Sequence, residues 1–415
     1  MKAIFTFVFS AIFALSGAMA QHDDHSHDEG HESGHEGDCG IEHHEATEYD
    51  PGATAFHHIS DQNIFTIGPW FFNLPCILYA PDQGWSLFSS SKFHVHGHHG
   101  DGDNAMHGYV MHEGVVMRVK DDAFPRGAVD VSGYKQEEVE VDGKNVTKYY
   151  VCQNDHLYEL DQESALDGGM FGRGITSFYD FSITKNVVTM IIVCLLMGWF
   201  FMGIARSYRR REGQAPKGAQ SFIEPIYIFI RDEVVKSMIG EKYERYTPFI
   251  MSIFFFVLVL NLVGQVPFFG NPNVTGSLAV TFVLAVFTFL VVNLNGNKNY
   301  WEHVFWMPGV PAAVKVLVLT PVEFLGLFLK PITLMVRLFA NITAGHIVIL
   351  SFVGLTFIFG EMGQNVGGGA IGALVGTLLG LFMSAIELLV AFLQAFIFAI
   401  LSASYIGAAV VDDHH

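Results

Sequence analysis

The sequence predicts an all-α membrane protein with about five membrane-embedded helices, preceded by an exported region that has some β character. The 415 residues are 51% hydrophobic and only 15% charged. Apolar runs long enough to cross a bilayer occur after residue 184, whereas most of the acidic residues and histidines come before it. The chain is therefore expected to consist of a polar exported part and a membrane part.

The first 20 residues have the features of a secretory signal peptide. Lys2 is followed by an apolar stretch over residues 3–15, and residues 18–20 provide a small-residue cleavage site. An uncleaved anchor is disfavoured because this apolar stretch is too short to span a bilayer. We expect the mature chain to begin near Gln21, outside the cytoplasm.

Residues 21–54 form a tail that we expect to be disordered. The segment is dominated by His, Asp, Glu, Gly and Ser, and this composition cannot bury a core. Its histidines are suitable ligands for Zn, Cu or Ni, but they follow no fixed four-ligand spacing. We therefore predict no specific metal site in the tail.

Residues 55–183 are interpreted as an extracytoplasmic region with strand character. Alternation of apolar and polar residues is clearest over residues 138–151, where Asp142-Gly143 is a hairpin turn signal. The three cysteines of the exported part permit at most one disulfide among themselves, so no disulfide scaffold is expected. We identify no catalytic motif in this region.

Residues 184–415 form the predicted membrane domain. The run from Val187 to Ala205 can span a bilayer and is followed by an arginine cluster, so we expect this helix to run from outside to the cytoplasm. Residues 220–245 mix charged and apolar side chains, as in an amphipathic segment on the cytoplasmic face. Two further spans are predicted, over residues 249–269 and 278–294.

The last two apolar stretches are longer than ordinary spans. They extend over about 30 residues from Pro331 to Gly360 and about 40 from Gly369 to Val410. At 1.5 Å per residue they would reach about 45 and 60 Å, against a hydrocarbon core of about 30 Å. We therefore predict two strongly tilted helices, joined as a hairpin by a Gly-rich turn, with a cytoplasmic C-terminus.

Arg337 lies within the first of these stretches, with no acidic residue within one or two helical turns. A guanidinium stays charged, and placing one at the centre of a membrane helix costs at least about 2.5 to 3.5 kcal/mol. Snorkelling to water is the alternative, but Lys330 already marks the interfacial end of the stretch. We therefore interpret Arg337 as a functional residue, with Asn341 on the same helical face.

Further polar residues accompany this arginine. His346 is about 180° from Arg337 around the helix and is expected to face other surroundings. Glu387 and Gln394 share a face of the second long helix, and Glu387 and His346 are a plausible proton-accepting pair. Glu323 is a candidate at the cytoplasmic end. A lone membrane histidine or glutamine is often a hydrogen bond between helices, but the combination favours an ion path.

Two strings closely resemble subunit a of F-type ATP synthases: residues 330–345, KPITLMVRLFANITAG, and residues 393–398, LQAFIF. The first contains the specific pattern K-P-x-x-L-x-x-R-L-F-x-N-x-x-A-G. Asn261 to Pro267 and Pro321-Val-Glu323 add support, and the resemblance covers about residues 185–410. It implies that Arg337 is the stator arginine facing the ring of c subunits.

The resemblance also assigns the neighbouring positions. Asn341 and Gln394 would be polar neighbours of Arg337. His346 and Glu387 would line the half-channel that opens to the outside, and Glu323 would lie near the cytoplasmic exit.

The implied protein is a non-catalytic, proton-translocating subunit in a bacterial inner membrane, with its N-terminal region in the periplasm. The implied partners are the c ring, the b-subunit stalk, the remaining synthase subunits and membrane lipid. Neither a cofactor nor nucleic acid is expected.

A metal-ion transporter with a His-rich capture tail is the alternative interpretation. Such a protein needs thiol, imidazole or carboxylate ligands that converge in the membrane. The predicted spans hold a single histidine and no matched pair of carboxylates, and the fixed charge of Arg337 would repel a cation. The sequence therefore favours proton translocation.

Overall fold

A computed structural model describes Cys39 and residues 60–67, 70–95, 100–141, 144–161, 177–266, 272–305, 319–361 and 364–410. The chain divides into two compact units, Met1–Gly40 and Ile41–His415. The predicted signal peptide and nearly all of the predicted tail lie outside the described residues. The architecture below belongs to the second unit.

The N-terminal region, which the sequence predicts to be exported and which we call the exported region for that reason, is built from antiparallel strands. A five-stranded sheet has the order β6-β7-β11-β10-β9, a three-stranded sheet has the order β12-β3-β4, and two pairs join β1 with β2 and β5 with β8. The strands are β1 (Ile64–Ile67), β2 (Trp70–Asn73), β3 (Pro75–Ala80), β4 (Gly84–Ser89), β5 (Asn104–Ala105), β6 (Tyr109–His112), β7 (Val115–Val119), β8 (Val129–Asp130), β9 (Gly133–Val141), β10 (Lys144–Gln153), β11 (His156–Asp161) and β12 (Tyr179–Asp180). A short 3-10 helix spans Ser90–Phe93.

The two strands of the hairpin predicted around Asp142-Gly143 are present and pair with each other. β9 and β10 pair from Lys144 opposite Val141 to Cys152 opposite Gly133. The turn itself lies outside the described residues. Alternating β-branched and aromatic side chains explain why this segment forms strands. The prediction of some β character understated the region, because most of its described residues lie in sheets.

The exported region has its own apolar cores. In β3, alternate residues Cys76, Leu78 and Ala80 are fully buried, together with Phe93 and Phe178. Burial raises the pKa of the Cys76 thiol to about 12, so this free cysteine is held as an unreactive thiol.

Asp61 ties the exported region to the first membrane helix, α1 (Lys185–Arg210). Its carboxylate accepts hydrogen bonds from the Thr184 hydroxyl (2.7 Å) and from the backbone N–H of Asn186 (3.1 Å). Asp61 therefore caps the start of α1 across more than 120 residues of sequence. Burial raises the pKa of the Asp61 carboxyl above its usual value.

The membrane part contains six further α-helices among the described residues. A π-helical stretch (Ile230–Lys236) and two short helical segments (Ser237–Ile239 and Gly240–Lys242) connect the first two of them. The helices are α2 (Ala219–Phe229), α3 (Tyr243–Gly264), α4 (Leu278–Leu294), α5 (Lys298–Phe305), α6 (Thr320–Phe359) and α7 (Val366–Val410).

Within the described part of the chain, four helical stretches are long and apolar enough to cross a membrane, and a fifth results if α4 and α5, bent by 105°, count as one span. This agrees with the predicted number of about five. The stretch Ala219–Gly264 is continuous enough to count as one span, so the structure joins the predicted amphipathic segment to the following helix. Ile230, Val234 and Ile239 in that segment are buried in the core of the membrane part.

α6 begins earlier than predicted. Pro331, which was expected to start the helix, lies inside it, and Pro321 stands in the first turn, where a proline is tolerated. Glu323 is therefore in the first turn of α6 and does not precede the helix. The predicted boundary was wrong because it was set from uninterrupted apolar residues, and charged Glu323 and Lys330 interrupt the apolar run.

α6 and α7 pack closely along their length. A Cβ atom added at Gly372 would lie 2.5 Å from the carbonyl oxygen of Leu355, and one at Gly376 would collide with that of Phe352. The glycines thus allow the α7 backbone to touch α6 directly. Gly372 meets Leu355 and Gly376 meets Phe352, so the two helices run antiparallel.

Candidate functional site

His346 on α6 and Glu387 on α7 lie side by side. His346 Nδ1 is 3.8 Å from Glu387 Oε1, and the two side chains are 12% and 5% exposed. Glu387 Oε1 is buried and has no hydrogen-bond partner among the described residues. Two titratable groups thus meet in an apolar setting, where groups that exchange protons are commonly found.

Gly345 makes room for this pair. A Cβ atom at Gly345 would lie 2.8 Å from Glu387 Oε1 and 3.2 Å from Glu387 Cδ. Such distances are well inside van der Waals contact, so any larger residue at this position would displace the carboxylate. The glycine directly before the histidine therefore sets the position of the glutamate across the helix interface.

α3 fixes the backbone of α7 at this level. Asn261 Nδ2 donates to the Ala391 carbonyl (3.1 Å), and Gln265 Nε2 donates to the Glu387 carbonyl (2.8 Å). An α-helix carbonyl has a second lone pair free for such a bond. The sequence contained Asn261 and Gln265 in the supporting string, but their contacts with α7 were not predicted.

Polar groups of the segment before α4 lie near the same place. Asn273 and Thr275 are buried, and the Thr343 hydroxyl on α6 donates to the Gly276 carbonyl (3.5 Å). The Asn273 Oδ1 atom is buried without a partner among the described residues. These residues also escaped prediction, because the uncharged segment was interpreted as a link outside the membrane.

Arg337 has surroundings different from those of His346. Arg337 is partly buried and forms no ion pair with a described carboxylate. It lies near Tyr405 on α7. Lys330 Nζ lies over the ring of the same tyrosine, 5.6 Å from its centroid. Tyr405 was not identified from the sequence, since a tyrosine near the end of an apolar run carries no motif. The predicted separation of the two faces is consistent with these contacts.

The predicted neighbours of Arg337 differ in exposure. Asn341 is exposed, whereas Gln394 is only 5% exposed and lies on the buried face of α7 that includes Glu387. Ser384, three residues before Glu387 on α7, is exposed and donates to the Gly380 carbonyl of its own helix. Its hydroxyl is satisfied locally, which explains why it does not join the pair.

A second polar group surrounds Glu323. Glu323 is partly buried and interacts electrostatically with Tyr300 on α5, whose hydroxyl donates to Asn293 Oδ1 (3.3 Å). A cavity of about 20 Å³ is lined by Asn293, Tyr300, Lys330 and Tyr405, among other residues. This is room for about one water molecule.

A larger cavity of about 570 Å³ lies between α1, α3 and α4. Its lining is mainly phenylalanine, methionine and leucine, and it contains none of the predicted site residues. We therefore place the functional chemistry at the smaller polar groups. Among the described residues, no group of three or more histidine, cysteine, aspartate or glutamate side chains is arranged to hold a metal ion.

Comparisons with known proteins find matches to two parts of the chain. The family model described as ATP synthase A chain matches residues 187–407, and a domain of unknown function, DUF8433, matches residues 54–136. The chain is 43% identical over 187 residues to ATP synthase subunit a of Chloroherpeton thalassium, covering 44% of this chain and 55% of that protein.

Two other relatives carry the same description. Identity is 40% over 186 residues with the protein of Chlorobium phaeobacteroides strain BS1, covering 43% of this chain and 54% of the relative. It is 38% over 216 residues with that of Anaeromyxobacter sp. strain Fw109-5, covering 50% and 51%. The chain spans about half the length of the curated relatives it matches. Because the family model covers more than half of this chain, the protein belongs to the ATP synthase A chain family.

Proposed function

We propose that this protein is the proton-translocating stator subunit of an F-type ATP synthase, with two offset half-channels separated by Arg337. Its family membership and the name of its relatives, ATP synthase subunit a, support this function. The observation that carries the proposal is the presence of two separate polar groups, one at His346 and Glu387 and one at Glu323, on either side of Arg337 along α6.

The arginine has a physical task in this mechanism. A carboxylate carried through lipid by a rotating ring must be neutral, because an ionised carboxylate in hydrocarbon is very costly. Opposite the permanent charge of Arg337, the ionised form is favoured and the proton leaves. Lysine would be a poor replacement, since it loses its own proton far more readily when it is desolvated.

The two polar groups supply the half-channels. Protons from outside would reach the ring past His346 and Glu387, where Gln265 and Gly345 hold the pair in place. Protons would leave towards the cytoplasm past Glu323, Tyr300 and the small cavity beside Lys330. Asn341 and Gln394 would be polar neighbours of the passing carboxylate.

The lengths of α6 and α7 support a strongly tilted hairpin. With 40 and 45 residues, the helices are about 60 and 68 Å long at 1.5 Å per residue, against a hydrocarbon core of about 30 Å. Such helices fit only when they lie far from the membrane normal. We propose that they follow the curved outer surface of the c ring.

The implied partners are the c ring, the b-subunit stalk, the remaining synthase subunits and lipid. We further propose a location in a bacterial inner membrane, with the exported region in the periplasm and the C-terminus in the cytoplasm. In this arrangement the subunit is not itself catalytic. The arginine cluster after α1 supports this orientation by the positive-inside rule.

Affinity purification of the tagged full chain from native membranes tests this function. We expect a c ring and an ATP-hydrolysing head to copurify, and ATP hydrolysis to acidify the lumen of reconstituted vesicles. Purification of the chain without any ring-forming subunit would contradict the proposal. A metal-ion transporter would instead load a divalent metal into vesicles in the absence of ATP.

A further inference from the structure

The three-stranded sheet β12-β3-β4 is apolar on both faces. Its inner face contains the fully buried residues Cys76, Leu78 and Ala80. Side chains alternate between the two faces of a strand, so Tyr79 and its cross-strand partner Trp85 belong to the outer face. An antiparallel sheet with one face in water normally carries polar residues on that face.

We call this outer face the aromatic face. Four of its side chains are aromatic rings in contact with one another, and the fifth lies beside Trp85 on the same face of β4: Tyr79, Trp85, Tyr179, Phe181 and Leu87. Trp85 lies 5.0 Å from Tyr79 and 5.7 Å from Phe181 between ring centroids, and Tyr79 lies 6.4 Å from Tyr179. Leu87 is 73% exposed, Trp85 65% and Phe181 49%. A contiguous exposed apolar patch of this kind marks an interaction surface.

The aromatic face is fixed at the start of the first membrane helix. The chain between β12 and α1 pairs with β3, because Phe181 N–H donates to the Ile77 carbonyl (2.8 Å) and Ile183 N–H donates to the Pro75 carbonyl (3.2 Å). Asp61 then caps α1. The face therefore cannot move independently of the point at which the chain enters the bilayer.

Exposed apolar side chains also occur further along α1. Leu195 and Trp199, on α1, are 69% and 73% exposed, as expected for side chains that contact lipid. Tryptophan and tyrosine are enriched where a protein crosses the membrane–water interface, since their rings are apolar and their N–H and O–H groups remain hydrated.

The other sheet of the exported region has a different surface. On β9 and β11 and directly after β7, exposed or partly exposed side chains form ion pairs, including Lys120 with Glu159 (2.9 Å) and Lys135 with Glu137 (2.8 Å). Ion pairs of this type are compatible with water and not with hydrocarbon. The exported region is thus asymmetric, with its aromatic surface adjoining α1.

We propose that the aromatic face lies in the interfacial layer of the bilayer, on the side where α1 begins, and that its partner is phospholipid. The exported region is then a membrane-docked module that lies against the lipid next to the first helix. Only three residues separate Phe181 from the first residue of α1, and this closeness to the point of membrane entry favours lipid over a protein partner. This inference does not depend on proton translocation.

The test uses fluorescence quenching in the assembled complex, reconstituted into nanodiscs of phosphatidylcholine brominated near the glycerol end of its acyl chains. Only Trp85 is retained, and the four other tryptophans are changed to phenylalanine. A matched control removes all five tryptophans and adds Leu157→Trp, a 40% exposed position in the charged sheet. A third variant retains only Trp199 and reports on lipid contact within the membrane.

We expect brominated lipid to remove about half or more of the emission of Trp85 and of Trp199, and to leave the emission of the Leu157→Trp control nearly unchanged. Quenching of Trp85 by aqueous iodide without quenching by brominated lipid would mean that the face is in water and would overturn the proposal. Protection from both quenchers would mean that another subunit covers the face, which overturns it equally. Retaining only Trp70, on the neighbouring exposed strand β2, repeats the measurement if the Trp85 variant does not assemble.

Discussion

The Nδ1 atom of His346 lies 3.8 Å from Oε1 of Glu387 because three helices cooperate to place the two side chains. Gly345 leaves space for the carboxylate, and Gln265 holds the backbone of Glu387 from a third helix. The distance is slightly beyond that of a direct hydrogen bond. A small movement of either side chain would allow a proton to pass between them.

Replacement of the arginine tests the separation of the half-channels. Arg337→Ala should reduce coupled ATP synthesis to background while protons leak passively through the membrane sector, because no charge then forces the ring carboxylate to release its proton. Synthesis and the collapse of a pH gradient are measured in the same inverted vesicles. Undiminished coupling would refute the role assigned to Arg337. Arg337→Lys, which keeps a charge when protonated, should also lose coupling.

Replacement of the glutamate should slow translocation without opening a leak. Glu387→Gln removes a proton-accepting group and should lower the rate of proton translocation by about 100-fold, the lower end of the range for loss of an acid–base group. The double variant His346→Glu with Glu387→His retains both groups and should recover part of the rate. Equal activity of Glu387→Gln and the unmodified protein would exclude the pair from the proton path.

The spacing at Gly345 can be tested separately from proton chemistry. Gly345→Val should displace the Glu387 carboxylate and lower translocation, although both titratable groups remain. Gly326→Val is the matched control on the same helix, because a Cβ atom there meets nothing within 4 Å. We expect both variants to assemble with the ring and only the first to be slow. A slow Gly326→Val variant would show that the effect is not local.

The hydrogen bonds from α3 should contribute to the stability of the membrane part. Asn261→Leu removes the bond to the Ala391 carbonyl and should destabilise the protein by about 0.6 kcal/mol, with an upper range near 2 kcal/mol. Thermal unfolding in detergent provides the measurement. Ser252→Ala is the control, because that hydroxyl bonds only to its own helix at the Pro248 carbonyl. An equal loss of stability in the two variants would count against the interhelical bond.

Acid should weaken the exported region through Asp82. Its hydrogen bond from buried Arg118 holds the pKa of the Asp82 carboxyl below its usual value of 3.8. A lowered folded-state pKa means that this stabilisation is present above pH 3.8 and is lost as the pH falls through the folded-state value. Because Asp82 is more than half exposed, Asp82→Asn should cost only about 1 kcal/mol near pH 6.

Hydrogen exchange in β3 measures this difference, with variant and unmodified protein compared at each pH. The difference should shrink as the pH falls below 3.8 and through the lowered pKa of Asp82, because Asp82 of the unmodified protein then also becomes neutral. Asp122→Asn is the control, because Asp122 is 95% exposed in its pair with Arg126 and should change little. A pH-independent effect of Asp82→Asn would contradict the electrostatic explanation.

Much of the membrane part could be predicted from hydrophobic runs and a few polar residues. The span from Leu278 to Leu294 matches α4 residue for residue. His346 and Glu387 lie close together, whereas their role as a proton-accepting pair stays a prediction. Helical periodicity predicts which residues share a face of one helix. It does not state which backbone carbonyl faces a neighbour, so the contacts of Asn261 and Gln265 with α7 required the structure.

The remaining differences have similar physical causes. Tyr405 approaches Lys330 and Arg337 only because α7 runs beside α6, and the sequence distance between them exceeds 60 residues. The cap by Asp61 is likewise a long-range contact. A proline and two charges concealed the first turns of α6, because an apolar count treats them as the end of a run.

The contacts of Gly372 and Gly376 with the backbone of α6 have a consequence for how the sequence can change over time. A single added methyl group at either position collides with a carbonyl oxygen that has no freedom to move aside. Two residues away from each, Leu374 and Leu378 are 74% and 68% exposed. We expect natural variants to carry various apolar residues at Leu374 and Leu378 and to retain glycine at positions 372 and 376. Positions that tolerate substitution and positions that do not would then alternate every two residues along α7.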